Sequence, residues 1–170
     1  IKNTLVSKGY SFRSDSDTEV ILAAYTEWGV KCVQYFNGMW AFAIHDKKKD
    51  IVFLSRDRFG IKPLYFMEHA GTFYFGSEIK QLLYFIPNPK VNRQILFDYL
   101  YLSYHHHTNN TFFKGIQSLP HSHNVIYSIK DNSYSIDKYY NLKINPEYSK
   151  LSLENALQKH KELMSQSIRL

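Results

Sequence analysis

Two features of this 170-residue sequence contain side chains that often carry out chemistry: a single cysteine and a run of three histidines. Cys32 could act as a nucleophile, but its apolar neighbours favour a small buried residue over a reactive thiol. His105, His106 and His107 could suggest a metal site. Consecutive side chains in a loop point in different directions, however, and no second ligand cluster accompanies them. We therefore predict a buried Cys32, a solvated histidine loop and no metal.

Charged side chains offer binding groups at two further places. Asp17 follows Ser16 at the start of a predicted helix, where the positive helix end stabilises a carboxylate. Residues 56–58 read Arg-Asp-Arg after a predicted apolar strand, and Gly60 and Pro63 fix the loop that follows. The simplest interpretation of Asp17 is stabilisation of the helix end. The simplest interpretation of residues 56–58 is a structural ion pair.

Short helices and strands must position these groups. Ser16 and Glu19 predict a capping box at the start of the second helix, while Gly9 and Gly29 are expected to end the first two helices. Residues 39–44 are all apolar, so both faces of this strand are predicted to be covered. Helices are predicted at 1–8, 16–28, 30–36, 78–85, 92–104 and from 151 onward. Strands are predicted at 39–44, 51–54, 64–66, 72–75, 124–129 and 134–140. We expect these strands to form a largely antiparallel meander.

Several segments read as motifs when taken in order along the chain. They include Phe-Asn-Gly-Met-Trp-Ala-Phe-Ala-Ile at 36–44 and Ser-Arg-Asp-Arg-Phe-Gly-Ile-Lys-Pro-Leu-Tyr-Phe at 55–66. The full set is 16–20, 36–46, 55–66, 77–83 and 111–120. Together they resemble the glutaminase domain of glutamine-dependent asparagine synthetases. The resemblance implies an α+β fold, a four-layer αββα sandwich of the N-terminal-nucleophile hydrolase type, here incomplete.

The resemblance also implies a chemistry. In that family a cysteine at the first position of the mature chain attacks the amide of glutamine, and its own α-amine serves as the base. Position one here is Ile1, and Cys32 has a peptide bond in place of the free amine, so no catalytic residue is assigned. Asp17 is assigned to the α-ammonium group of glutamine, because an ammonium withdrawn from water needs a carboxylate partner. Asn37 and Gly38 belong to a strand motif and receive no catalytic role.

Other residues within the motifs are interpreted as structural. The loop at 56–63, and Glu78 with Lys80, are expected to form scaffold or domain contacts. Residues 121–123 read His-Ser-His where relatives commonly have Pro-Gly-His, which leaves the geometry of that turn open.

The resemblance divides the chain into two parts. Residues 1–143 correspond to the C-terminal part of the glutaminase domain, and 144–170 to a linker and the first helix leading to the synthetase domain. We expect a fragment that lacks the N-terminal cysteine and the synthetase domain. No cofactor is expected for the glutaminase domain, whereas ATP and Mg are expected for the synthetase domain.

The implied function is the release of ammonia from glutamine for ATP-dependent amidation of aspartate, with the fragment alone inactive. Two alternatives stay open. The parent protein could be another class II amidotransferase, or a synthetase-like relative with a different acceptor. The chain could also be a non-catalytic scaffold or interaction module, because a sandwich without its first strands leaves edge strands and apolar faces uncovered.

Composition narrows the predicted partners. The net charge is +6, but lysines 47–49 lie between Asp46 and Asp50, where a solvated hairpin turn is favoured over a phosphate-binding patch. No apolar run approaches the roughly 18 residues of a membrane span, and no signal-peptide pattern opens the chain. With a single cysteine, these features predict a cytoplasmic protein that binds neither nucleic acid nor membrane. Glutamine and the synthetase domain are the predicted partners, and a homodimer is left open.

Overall fold

Seven β-strands lie within residues 1–104 and 107–169, the parts of the chain that the computed structural model describes. They are β1 Ala41–Asp46, β2 Ile51–Arg56, β3 Tyr65–His69, β4 Thr72–Gly76, β5 Gln117–Ser118, β6 His123–Ser128 and β7 Ser133–Lys138. They form two antiparallel sheets, with the strand orders β1-β2-β6-β7 and β4-β3-β5. Every predicted strand is present. The short strand β5 is an addition, because two residues are too few to give a sequence signal.

The described residues also contain five α-helices. They are α1 Lys2–Ser7, α2 Asp17–Trp28, α3 Ile79–Leu83, α4 Arg93–Leu102 and α5 Leu153–Ile168, with 3₁₀ segments at Gly29–Gln34 and Tyr148–Lys150. The predicted starts of α2 and α4 are confirmed, because the side chains of Ser16 and Asn92 accept hydrogen bonds from the N–H groups of Thr18 and Ile95. Gly29 ends α2 with a φ of +59°, as predicted.

Three apolar clusters show how helices and sheets are layered. Neighbouring residues Phe53 and Leu54 of β2 point to opposite faces of the four-stranded sheet. Phe53 packs with Ala24 of α2, while Leu54 packs with Phe66 of the three-stranded sheet. Met67, the next residue on β3, faces away from that interface and packs with α3. The order helix, sheet, sheet, helix confirms the predicted αββα sandwich.

The strands do not form the predicted meander. Consecutive strands β2 and β3 lie in different sheets, because β2 pairs with β1 and β6 whereas β3 pairs with β4 and β5. The chain crosses between the sheets twice, through residues 57–64 after β2 and through residues 119–122 after β5. The pairing of β2 with β6 joins segments that are far apart in the chain, and alternation of apolar residues carries no information about such partners.

The prediction that both faces of β1 are covered is wrong. β1 is an edge strand, and Ala43 is exposed, as is Met39 just before the strand. Ile44 is buried in the cluster beneath α2. Ala43 instead lines a groove of about 370 Å³ together with Phe75 and Leu82. An apolar run therefore identified a core strand but not its position at the sheet edge.

A two-residue turn, Ala70 and Gly71, connects β3 and β4. The φ angles of both residues are positive, +50° and +73°, and the strand register pairs His69 with Thr72. Two positive φ angles in a two-residue hairpin loop define a type I′ turn, which favours Asn-Gly.

We expect the substitution Ala70→Asn to raise the free energy of unfolding by about 0.5 to 1 kcal/mol, because alanine is strained in the left-handed region and asparagine tolerates it. The Ala70 side chain is exposed, so the substitution disturbs no core contact. Urea denaturation followed by circular dichroism measures the change. Ala70→Val is the control and should lower stability. A lower stability of Ala70→Asn would contradict the assignment of the turn.

Two compact units make up the chain, Ile1–Tyr140 and a second unit from Asn141 onward. The second unit contains α5, which begins after Ser152 and has the predicted amphipathic pattern. Its apolar side chains Leu153 and Leu157 are exposed. Within the described residues, no helix has both the length and the apolar character needed to cross a membrane.

Candidate functional site

Asp17 is the first residue of α2, and its side chain is exposed. Among the described residues, no group forms a hydrogen bond or an ion pair with its carboxylate. Its acidic neighbours are both engaged: Asp15 pairs with Lys2 at 2.6 Å, and Glu19 accepts hydrogen bonds from the segment before the helix. The helix therefore presents the carboxylate of Asp17 at its positive end, available to a cationic group.

Glu19 fixes the segment that leads into α2. Its carboxylate accepts hydrogen bonds from the backbone N–H groups of Arg13 and Ser14, each at 2.9 Å, and from the Ser14 hydroxyl at 2.7 Å. These hydrogen bonds lower the pKa of Glu19, and the bond from the Arg13 N–H has the largest effect. The predicted capping box is wrong, because the N–H of Ser16 donates to the Ser14 hydroxyl instead of to Glu19. Glu19 thus holds the approach to Asp17 in place, a role that the capping pattern did not reveal.

Cys32 is fully buried in the cluster between α2 and the four-stranded sheet. Burial raises the pKa of its thiol to about 11, so the thiol stays protonated at neutral pH. The predicted packing role is confirmed. Asn37 and Gly38 are exposed just before β1, and Gly38 has a φ of +133° that favours glycine.

The crossover at 57–64 is organised by the carboxylate of Asp57, which is 1% exposed. Its oxygens accept hydrogen bonds from the backbone N–H groups of Trp40 at 3.3 Å, Phe59 at 3.1 Å, Ile61 at 3.0 Å and Lys62 at 2.9 Å. Burial alone would raise the pKa of Asp57, but the four N–H groups outweigh it and hold the pKa below its usual value. One buried side chain therefore sets the path of the whole crossover.

Arg56 joins the two crossovers. Its guanidinium donates to the carbonyl oxygens of Lys62 at 2.7 Å and Gly60 at 2.8 Å in the first crossover. It also donates to the Ser118 hydroxyl at 2.9 Å and the Leu119 carbonyl at 2.6 Å in the second. The simplest interpretation of residues 56–58, a structural ion pair, does not hold for Arg56: among the described residues, no ion pair within 4 Å includes it. Backbone groups take the place of a carboxylate, because both crossovers expose them to the guanidinium.

The second crossover turns at Ser122, which is buried and has a φ of +64°. Its N–H donates to the Asp57 carbonyl at 2.9 Å and its hydroxyl to the Arg58 carbonyl at 2.8 Å. The carbonyl of Ser122 accepts from the N–H of Tyr139 at 2.9 Å. Serine thus adopts a backbone geometry typical of glycine and is held there by its own hydroxyl bond.

Two further pairs lie on the helices. Glu78 and Lys80 form an exposed ion pair at 2.6 Å at the start of α3.

The His107 ring contacts the carboxylate of Asp98 on α4 at 2.9 Å. His105 and His106, part of the predicted histidine loop, lie outside the described residues. Within the described residues, no three histidine, cysteine, aspartate or glutamate side chains are grouped closely enough to hold a metal ion.

The four-layer order of two helical layers around two antiparallel sheets is that of the N-terminal-nucleophile hydrolases. The fold resembles that of the glutamine phosphoribosylpyrophosphate amidotransferase of Bacillus subtilis, with a TM-score of 0.55 over 85% of this chain and 27% of that one. Sequence identity is 16%, so this likeness concerns the fold alone. The chain belongs to the glutamine amidotransferase domain family, whose model matches residues 1–140.

Curated relatives agree with this family. The chain is 37% identical over 144 residues to "Asparagine synthetase [glutamine-hydrolyzing] 3" of Bacillus subtilis, covering 84% of this chain and 23% of that protein. It is 34% identical over 172 residues to "Asparagine synthetase [glutamine-hydrolyzing] 2" of the same organism, covering 94% and 22%. It is 46% identical over 76 residues to "Asparagine synthetase B [glutamine-hydrolyzing]" of Escherichia coli, covering 44% and 14%. The chain thus spans less than a quarter of the length of these relatives.

Proposed function

We propose that this chain belongs to a glutamine-hydrolysing asparagine synthetase, in which residues 1–140 are part of the domain that releases ammonia from glutamine. The observation that carries the proposal is the 37% identity over 84% of the chain to a relative named for this activity. In such an enzyme, ATP and Mg²⁺ would serve the amidation of aspartate in a separate synthetase domain. This chain would contribute the scaffold and one contact to glutamine.

That contact is the carboxylate of Asp17. It is exposed, it has no partner among the described residues, and Glu19 fixes the backbone just before it. A carboxylate held in this way suits the α-ammonium group of an amino acid, because the charge pair forms without rearrangement of the site.

We expect Asp17→Asn, made in the natural protein that contains this chain, to raise the KM for glutamine about tenfold or more, because an ammonium group left without its carboxylate costs roughly 2 to 5 kcal/mol. Ammonia-dependent synthesis should be unchanged. Steady-state kinetics with glutamine and with ammonium chloride measure both values. Asp15→Asn is the matched control, since Asp15 is exposed and pairs only with Lys2 among the described residues.

Three results would count against the proposal in different ways. An unchanged KM for glutamine in Asp17→Asn would exclude Asp17 as a substrate contact. A product other than asparagine would favour a relative with a different acceptor. Absence of glutamine hydrolysis in the natural protein would favour a non-catalytic module.

A further inference from the structure

A cavity of about 590 Å³ lies beside Arg56, in the unit formed by residues 1–140. Asp17 is not among its lining residues. The described lining combines basic and neutral polar side chains with apolar ones and contains no aspartate or glutamate. Its polar members include Arg56, Tyr65, His107, Asn109, Asn110 and His121. The volume suits a small molecule, and the lining offers hydrogen-bond donors without a negative charge.

The charge of Arg56 is incompletely compensated at this cavity. A guanidinium has five N–H donors, and four of them bind the Lys62, Gly60 and Leu119 carbonyls and the Ser118 hydroxyl. One N–H donor is left, on Nη2. Among the described residues, no carboxylate lies within 4 Å of this half-buried cation, and the charge of Asp57 acts on it only from a greater distance. A partly desolvated cation with a remaining donor is a favourable contact for an oxyanion.

The neighbouring backbone passes close to this nitrogen. Gly60 lines the cavity, and a Cβ atom there would lie 3.2 Å from Nη2 of Arg56 and 3.2 Å from Cβ of His121. The glycine, with a φ of +69°, therefore permits a close approach of backbone and guanidinium that a larger residue would crowd. The four bonds to Arg56 also hold its guanidinium in one orientation, so that little side-chain entropy would be lost on binding.

Two imidazole rings at the cavity are oriented by hydrogen bonds on one nitrogen each. Nε2 of His107 contacts the Asp98 carboxylate at 2.9 Å, and Nδ1 of His121 contacts the Arg58 carbonyl at 3.1 Å. Ile95 and Phe112 supply apolar walls. The cavity thus combines a fixed cation, oriented polar rings and an apolar surface, the combination expected of a site for a small molecule with one charged end.

We propose that this cavity binds a small molecule that carries an oxyanion, a carboxylate or a phosphate, with the oxyanion on the free N–H of Arg56. The apolar body of the ligand lies against Ile95 and Phe112. This site is separate from the proposed glutamine contact at Asp17 and does not depend on it.

Binding is tested by NMR titration of the ¹⁵N-labelled natural protein that contains this chain, with sodium phosphate and, separately, with sodium propionate. Sodium chloride at matched ionic strength is the control for screening. We expect saturable shifts of the Arg56 Nε–Hε signal and of the amide signals of Gly60 and Asn109. Saturation with phosphate alone identifies a phosphate ligand, and tighter binding of propionate identifies a carboxylate with an apolar body. Shifts that match those caused by chloride would overturn the proposal.

A charge-reversing variant tests the location. Asn109→Asp keeps the size of an exposed lining side chain but adds a negative charge, so anion binding should weaken roughly tenfold or more. Asn3→Asp adds the same charge on α1, outside the cavity lining, and should leave the dissociation constant unchanged within about twofold. Equal affinity of the two variants would overturn the proposed location. The Arg56 signals of the unsubstituted chain decide the question if Asn109→Asp does not fold.

Discussion

Replacing Asp57 with alanine is expected to lower the free energy of unfolding by about 3 to 5 kcal/mol, the larger of two effects centred on the sheet crossovers. The carboxylate is 1% exposed and is the common acceptor of four backbone N–H groups. Alanine would leave these donors without an acceptor, and each unsatisfied buried donor costs about 1 to 3 kcal/mol. Part of the loss is recovered where water reaches the exposed end of the loop. Urea denaturation of the 170-residue chain measures the difference.

Asp137→Ala is the control for the loss of a carboxylate, because Asp137 lies on the exposed strand β7 and should change stability by no more than about 0.5 kcal/mol. The pH dependence gives a second check. The folded-state pKa of Asp57 is below its usual value of about 3.9, so its contribution is complete above about pH 4 and is lost as the pH falls through the folded-state pKa. The stability gap between wild type and Asp57→Asn should therefore narrow in acid. A constant gap would contradict an ionised Asp57.

Replacing Arg56 with methionine should lower the free energy of unfolding by about 2 to 4 kcal/mol. Methionine keeps much of the apolar stem but removes donors from three carbonyl oxygens and one hydroxyl. Burial lowers the pKa of Arg56, because removal from water disfavours the charged guanidinium. The hydrogen bonds of the guanidinium must offset this desolvation cost. Thermal and urea denaturation measure the loss.

Two comparisons separate the geometry of Arg56 from its charge. Arg56→Lys keeps the charge but lacks the planar guanidinium that reaches both crossovers. The lysine variant should therefore lose most of the stability that the methionine variant loses. Arg13→Met removes an exposed arginine and should change stability by no more than about 0.5 kcal/mol. Full stability of Arg56→Lys would mean that charge alone matters and would refute the hydrogen-bonded link.

The helix starts and hairpin turns are predictable because their signals are local. Ser16 caps α2 through the N–H of a residue two positions on, and Gly71 lies inside the turn that it marks. The division of the strands into two sheets is not predictable in this way, because β2 meets β6 only after the intervening chain has passed through the other sheet. The same limit explains β1, whose apolar run predicted burial but not an edge position.

The residues of the candidate site also differ in how far the local sequence predicts their roles. A five-residue motif indicates Asp17, and its exposure at the start of α2 follows from the helix boundary itself. The role of Arg56 depends on acceptors 62 and 63 positions away, at Ser118 and Leu119. No short pattern around residue 56 contains that information. The charged neighbours of Arg56 in the sequence instead suggested an ion pair. That explanation uses only adjacent residues, whereas the observed contacts of Arg56 are with residues far away in the sequence.

The linked crossovers also determine where this chain can be lengthened. An insertion within 57–64 would displace N–H groups that share one carboxylate, and an insertion at 119–122 would move the carbonyl that Arg56 needs. Lysines 47–49 form the exposed turn between β1 and β2, and no hydrogen bond of this kind links that turn to the other sheet. Natural variation in length, and any tag or loop grafted by an experimenter, is therefore best accommodated at that outer turn, far from the segments that join the two sheets.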